Sequence, residues 1–287
     1  MVNHGFTVGL GCENLMHLDI ILPIVIFTIA TASVILYQRF EKVIASLFEE
    51  KKFTTRDAVL MVVSMGVMVT VIVFIPSQAL QIIFIAAYSY MLFTFTYLAL
   101  KKWFFALLPP AAFVVSYFWF WNLFVFNLFV VVFAILITVY LSSLFSWKTV
   151  GIFAALLTVM DVIQVFMTGH MGESATKMIQ LKLPVLIMLP TYPAGMLIGL
   201  GLGDIFLAGL LAVQTAVKYD RKAGILVAGW ISIAMLIFEI ALFNIGFAKF
   251  FPATVVVVAG WLMGAASQRL TSFKRLPTSR KEERLKD

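Results

Sequence analysis

The stretch between Lys102 and Lys148 contains no charged residue. A membrane-spanning helix needs about 20 apolar residues, so this stretch alone is long enough for two of them. The rest of the 287-residue chain has a similar character, with 62% hydrophobic and only 12% charged residues. Soluble domains carry about 25% charged residues. The sequence therefore predicts a polytopic membrane protein and excludes a soluble enzyme.

The apolar segments predict an all-α membrane protein with nine transmembrane helices. Their approximate bounds are 19–37, 58–75, 79–100, two helices within 103–145 that meet near Asn122, 149–168, 196–217, 223–248 and 251–267. Pro109 and Pro110 predict a kink in the fourth helix. The stretch 38–57 predicts an amphipathic surface helix or an extension of the first span, ended by a Thr54/Asp57 capping box.

Lys and Arg residues give the orientation of these helices, because they are enriched on the cytoplasmic side. With the N-terminus outside, the predicted inner segments hold every Lys and Arg except Lys177, Lys182 and Lys249. The prediction is a multi-pass protein of the cell membrane with its C-terminus inside. The net charge of +7 then follows from topology, and no nucleic-acid partner is expected. The absence of an N-x-[ST] sequon favours a prokaryotic cell membrane, such as that of an archaeon.

Three acidic residues, Asp161, Asp204 and Glu239, fall well inside predicted spans. An ionisable group in the membrane is costly and marks a candidate functional site. Asp161 and Asp204 both lie about 10–12 Å below the outer boundary, from a rise of 1.5 Å per residue. Facing carboxylates can share one proton, so that one accepts a proton from water while the other protonates a carbonyl oxygen. On position alone, an ion-coupled transporter remains the more frequent alternative.

The remaining polar and small residues receive simpler interpretations. Glu239 is interpreted as a structural, protonated residue bonded to Ser232 or Asn244. The single cysteine, Cys12, excludes an internal disulfide, and the three histidines lack metal-ligand spacing. We therefore expect neither a metal nor an organic cofactor. Gly260 and Gly264 have the GxxxG spacing of a tight helix contact.

Three motifs of this chain stand in the order typical of one protease family. Gly201-Leu202-Gly203-Asp204 is similar to the GxGD motif of the presenilin and signal peptide peptidase family of intramembrane aspartyl proteases. Met160-Asp161 takes the place of that family's Tyr-Asp pair. Pro252-Ala253-Thr254 opens the ninth span where the family has Pro-Ala-Leu. The resemblance covers about 149–267, while the first five spans are similar only in number and hydropathy.

The resemblance implies a presenilin-like fold and an intramembrane endopeptidase with Asp161 and Asp204 as its catalytic dyad. It implies three regions: an N-terminal bundle of five helices (1–148), four catalytic helices (149–268) and a basic cytoplasmic tail (269–287). An outer N-terminus is typical of the signal peptide peptidases. Substrates are then transmembrane segments with their N-terminus inside, including remnant signal peptides. No obligatory partner subunit is expected, and the lipid bilayer is the other partner.

The segment before the seventh span carries a second hypothesis. Pro184, Pro190 and Pro193 argue against a full helix there and favour an extended segment. A protease must unwind a substrate helix before it can reach the scissile bond, and an edge strand can pair with the unwound backbone. We predict that Val185, Leu186, Ile187 and Met188 form this edge, with Pro252 and Ala253 on the other side of the cleft. A plain hydrophobic re-entrant loop is an equally open reading.

Overall fold

The computed structural model describes residues 20–47, 52–191, 197–245 and 251–274, and most of these are helical. The α-helices are α1 (Ile21–Leu47), α2 (Thr55–Phe74), α3 (Ser77–Leu100), α4 (Trp103–Ala106), α5 (Leu108–Trp119), α6 (Leu123–Ser142), α7 (Trp147–Ile163), α8 (His170–Gln180), α9 (Leu202–Lys218), α10 (Arg221–Ile245) and α11 (Ala253–Lys274). A π-helical turn, Gln164–Thr168, continues α7. Strands β1 (Leu186–Pro190) and β2 (Leu197–Gly201) pair as an antiparallel hairpin between α8 and α9.

Within the described residues, six helices are long and apolar enough to cross a membrane. They are α1, α2, α3, α6, α7 with its π-helical turn, and α10. The segments Trp103–Trp119 and Ala253–Gln268 are shorter apolar helices. The fold is therefore that of a helical membrane protein with a small β-hairpin.

Local signals in the sequence placed several helix ends correctly. Thr54 and Asp57 form the predicted capping box at the start of α2, and Asn122 caps α6 through a bond from the Val125 N–H. The proline pair falls just after a helix break at Leu107. Because α1 runs on to Leu47, the stretch after the first span extends that helix.

One predicted boundary is wrong. The seventh span was expected to begin at residue 196, but 197–201 is strand β2 and α9 begins only at Leu202. Pairing with β1 holds this glycine-containing segment in an extended conformation that its hydropathy alone does not reveal. The polar stretch 169–182, for which the sequence predicted no particular structure, contains helix α8. The predicted start of the first span at residue 19, Lys249 and the tail beyond residue 274 lie outside the described residues.

Helix α9 is the centre of the molecule, and every residue from Asp204 to Ala216 is buried. It packs against α1, α6, α7, α10 and α11. Gly209 permits the close approach of α6, because a Cβ there would lie 2.8 Å from the Thr138 Cγ2 atom. The predicted N-terminal bundle and catalytic helices thus share one core, and the three-region division stays a prediction.

The predicted close contact at Gly260 and Gly264 joins α11 to α10. A Cβ on Gly260 would lie 2.6 Å from the Cα of Ile231, and one on Gly264 would lie 2.8 Å from the Val227 Cγ2 atom. Both glycines therefore bring the two helix backbones together within one chain. This contact fixes where the first turn of α11 stands, and that turn contributes to the candidate site.

Candidate active site

Asp161 and Asp204 meet where three helix ends converge. Asp161 lies in the last turn of α7, Asp204 in the first turn of α9, and these helices pack against each other. Asp161 is 4% exposed and Asp204 is 6% exposed. The two carboxylates lie close enough to interact electrostatically. The structure thus brings together the two residues that the sequence singled out.

Thr254 completes this group from the first turn of α11. Its side-chain hydroxyl donates a hydrogen bond of 2.6 Å to Oδ2 of Asp161, and its backbone N–H lies near the same carboxylate. Thr254 is 3% exposed. The sequence placed Thr254 among the motif residues of the candidate site, but it did not predict this bond to Asp161. The available signal was a hydroxyl residue in the first turn of an apolar predicted span.

The neighbouring motif residues have different positions. Gly201 caps the start of α9, and a Cβ on it would lie 3.2 Å from Oδ2 of Asp204, so the glycine leaves space beside that carboxylate. The N–H of Leu202 donates to the carbonyl of Val185, at 2.8 Å, which joins the start of α9 to the hairpin. Ala253 is buried in the central core, whereas a Cβ added at Gly203 would meet nothing within 4 Å.

Helix α2 closes another side of the site. The side-chain amide of Gln164, 7% exposed, donates a 3.0 Å bond to the carbonyl of Gly66. Gly66 also leaves room for Met160, because a Cβ there would meet the Met160 sulfur at 2.5 Å. Gln164 begins the π-helical turn, and such turns frequently mark functional sites. Met160 and Gln164 therefore bind α2 to the helix that carries Asp161.

The β-hairpin has two edges, and their backbone groups are distinguishable. Ile187 pairs with Leu200, and Met188 pairs with Gly199. Since the Leu202 N–H bonds to Val185, hydrogen-bonded pairs alternate along the hairpin, and Ile187 and Leu200 form one of them. The backbone groups of Met188 therefore point away from β2, and those of Gly199 point away from β1.

Asn127 of α6 occupies the β1 edge. Its side-chain nitrogen donates to the Met188 carbonyl at 2.6 Å, and its side-chain oxygen accepts from the Met188 N–H at 2.9 Å. Further bonds anchor the chain before β1: Tyr88 donates its hydroxyl to the Pro184 carbonyl, and Trp121 donates its indole N–H to the Lys182 carbonyl. The β1 strand is thus fastened into the helical bundle.

The β2 edge is open by contrast. Gly199 is exposed, and Leu197 is 59% exposed. Among the described residues, nothing bonds to the outward backbone groups of Gly199. Strand β2 continues directly into α9, so its open edge ends three residues before Asp204. The structure therefore has an extended backbone segment with an open edge that leads directly to Asp204.

Glu239 of α10 is also deeply buried, at 1% exposure. The Ser232 hydroxyl, one of the two partners predicted for Glu239, donates to the Ala228 carbonyl. The Asn244 amide donates to the Ile240 carbonyl. Among the described residues, no three His, Cys, Asp or Glu side chains cluster as metal ligands. The expectations of no metal and no cofactor stay predictions.

Neither a protein-family model nor any curated protein matches this sequence. The similarity to GxGD proteases therefore rests on the three motifs. The structure adds that Asp161, Asp204 and Thr254, one residue from each motif, share a single buried site.

Proposed function

We propose that this chain is an intramembrane aspartyl endopeptidase of the presenilin and signal peptide peptidase family. The observation that carries the proposal is the meeting of Asp161 and Asp204 on neighbouring helices in a buried site. Two acidic side chains at close range in a poorly hydrated site cannot both ionise easily, so they share one proton. A pair in that state holds one general base and one general acid.

The shared proton gives a complete hydrolytic cycle. The ionised carboxylate takes a proton from water while the water oxygen bonds to the carbonyl carbon, and the protonated carboxyl gives its proton to the carbonyl oxygen. The product is a neutral tetrahedral diol. The carboxyl that gained the water proton then passes it to the leaving nitrogen as the C–N bond breaks. The second carboxylate takes a proton back from the diol, which restores the starting state.

We further propose nine membrane crossings with the N-terminus outside and the C-terminus inside. Two contacts support a common inner side: Lys52 bonds to the Ser143 carbonyl, and Lys218 lies 4.1 Å from the ring centre of Trp147. The connection before α2, the α6–α7 turn and the end of α9 thus stand together. Lys177 bonds to carbonyls at the opposite end of α2. The six long helices, the two shorter apolar ones and α9 would be the nine spans.

The open β2 edge is the proposed docking site for an unwound substrate segment. The sequence predicts this role for β1, at residues 185–188, but Asn127 already pairs with Met188 there. The outward groups of Leu197, Gly199 and Gly201 on β2 are therefore the proposed partners of the substrate backbone. Added strands gain main-chain hydrogen bonds that a lipid environment cannot supply. Pro252 and Ala253, next to Thr254, would bound the opposite side of the cleft.

The proposed substrates are single transmembrane segments with an inner N-terminus, including remnant signal peptides. As the resemblance to signal peptide peptidase implies, the proposal includes no obligatory partner subunit. The cell membrane supplies both the substrate and the surrounding lipid. The tail basic residues would contact anionic headgroups on the inner side.

A cleavage assay with purified protein tests the proposal. A tagged single-span peptide is incubated in detergent with wild type, Asp204→Ala or Asp220→Asn, and the products are identified by mass spectrometry. Asp220 is the matched control, because it lies in the α9–α10 turn and only caps the Ala223 N–H. Cuts inside the apolar segment with wild type and Asp220→Asn, and none with Asp204→Ala, are expected. Ion-driven uptake into liposomes without any cleavage would instead favour the transporter.

A further inference from the structure

The two aspartates differ in what surrounds them. Asp161 accepts a hydrogen bond from the Thr254 hydroxyl, and the backbone N–H of Thr254 lies near the same carboxylate. Thr254 is the second residue of α11, so its N–H is one of the donors that a helix start leaves without an intrahelical partner. Asp161 therefore stands at the start of α11. Among the described residues, no donor bonds to Asp204.

The contacts of Asp161 favour its ionised form. A carboxylate accepts a hydrogen bond from a hydroxyl more strongly than a neutral carboxyl does, and the start of a helix carries partial positive charge. Asp204 also stands in a first helix turn, but without such a bond. Helices α2, α9 and α11 pack against α7. Among the charged side chains that the structure describes on these three helices, only Asp204 lies at the helix end near Asp161. Arg56, Asp57 and Lys218 lie at the far ends of their helices.

We infer that Thr254 is a positioning residue that holds Asp161 as the ionised member of the dyad and leaves the shared proton on Asp204. This inference rests on the proposed function and gives each carboxyl its part in the cycle. Asp161 takes the proton from water, and Asp204 donates its proton to the substrate carbonyl oxygen.

Infrared spectroscopy locates the proton without any need for turnover. At neutral pH, a difference spectrum of wild type against Asp204→Asn should show the loss of one protonated-carboxyl C=O band. The difference against Asp161→Asn should show no such loss. Loss of the band in Asp161→Asn, in both variants or in neither contradicts the assignment. The Glu239 carboxyl is common to all three proteins and cancels.

Kinetics test the part played by Thr254. Thr254→Val keeps the shape and the backbone N–H but removes the hydroxyl, and kcat should fall about 10- to 100-fold with little change in KM. Thr254→Ser should restore a kcat close to wild type. Thr158→Val is the matched control, because that hydroxyl bonds to the Ala154 carbonyl of its own helix. An unchanged kcat in Thr254→Val, or no rescue by serine, overturns the role. Wild type that cleaves nothing would instead refute the proposed function, while the infrared result still stands.

Discussion

Asn127 and Met188 are paired as if the asparagine side chain were a neighbouring strand. The amide of Asn127 satisfies both backbone groups of Met188, with bonds of 2.6 and 2.9 Å. A side chain on α6 thus closes one edge of the hairpin and leaves the other edge available. In the proposed function, the two edges of the hairpin are therefore not equivalent, and only the β2 edge can accept a substrate strand.

Replacing Asn127 by leucine should therefore loosen the hairpin. Leucine has a similar volume but no hydrogen-bonding group, and each backbone group left without a partner costs about 1–3 kcal/mol. We expect a lower unfolding temperature in detergent and a lower cleavage rate. Leu128→Ala is the control, since Leu128 is 49% exposed on the same helix. Equal unfolding temperatures for Asn127→Leu and wild type would show that the pairing contributes nothing.

The open β2 edge predicts a specific effect of proline at Gly199. Gly199→Pro removes the outward N–H without breaking a hairpin bond, so cleavage should fall strongly while the unfolding temperature changes little. Gly199→Ala is the matched control, because it retains the N–H and adds only a Cβ near the flexible Leu186 side chain. Equal cleavage by the proline and alanine variants would exclude strand addition at β2. Ile187→Pro should both lower cleavage and destabilise the hairpin, because the Ile187 N–H that it removes faces Leu200.

The contact between α10 and α11 predicts that alanine destabilises the protein at Gly260, which lies in this contact, and not at Gly151 of α7, which lies outside it. A Cβ on Gly260 would lie 2.6 Å from a backbone atom of Ile231, so Gly260→Ala must push the helices apart. We expect a loss of about 1–3 kcal/mol in the free energy of unfolding. A Cβ on Gly151 would meet nothing within 4 Å, so Gly151→Ala should be neutral or gain about 0.5–1 kcal/mol. The comparison is made by thermal unfolding in detergent, and a Gly260→Ala variant as stable as wild type would contradict the packing.

Lys177 predicts a charge effect at the end of α2. Its ammonium group donates to the carbonyls of Ile72, Val73 and Ile75, which have no intrahelical partner at a helix end. Lys177→Met should lower the free energy of unfolding by about 2 kcal/mol, because charged donors form the stronger hydrogen bonds. Lys182→Met, on the exposed turn after α8, is the control. Similar unfolding temperatures for the two variants would show that the three bonds are unimportant.

Patterns within single segments predicted much of the fold. Hydropathy located most of the helices, and the side chains of Thr54 and Asn122 marked helix starts because capping is a local interaction. The glycine pair at Gly260 and Gly264 predicted a tight contact, although the partner surface on α10 could not be named.

The remaining features depend on residues far apart in the sequence. Strand β2 is apolar enough to be read as helix, and only its pairing with β1 makes it extended. The Asn127 pairing and the Thr254 bond to Asp161 join positions 61 and 93 residues apart, so no local pattern reports them. The common location of Asp161 and Asp204 was predictable, because ionisable residues inside apolar spans are rare and two of them fell at one depth.

The central claim is that Asp161 and Asp204 act as one catalytic unit, and single asparagine variants of each test it most directly. Asparagine keeps the shape and removes the acid, so both variants should remain folded, with unfolding temperatures at or above that of wild type. Cleavage of a tagged transmembrane peptide is then measured beside wild type and Glu239→Gln. The account predicts no detectable cleavage by Asp161→Asn or Asp204→Asn and most of the wild-type rate for Glu239→Gln. Cleavage near the wild-type rate by either aspartate variant would contradict it.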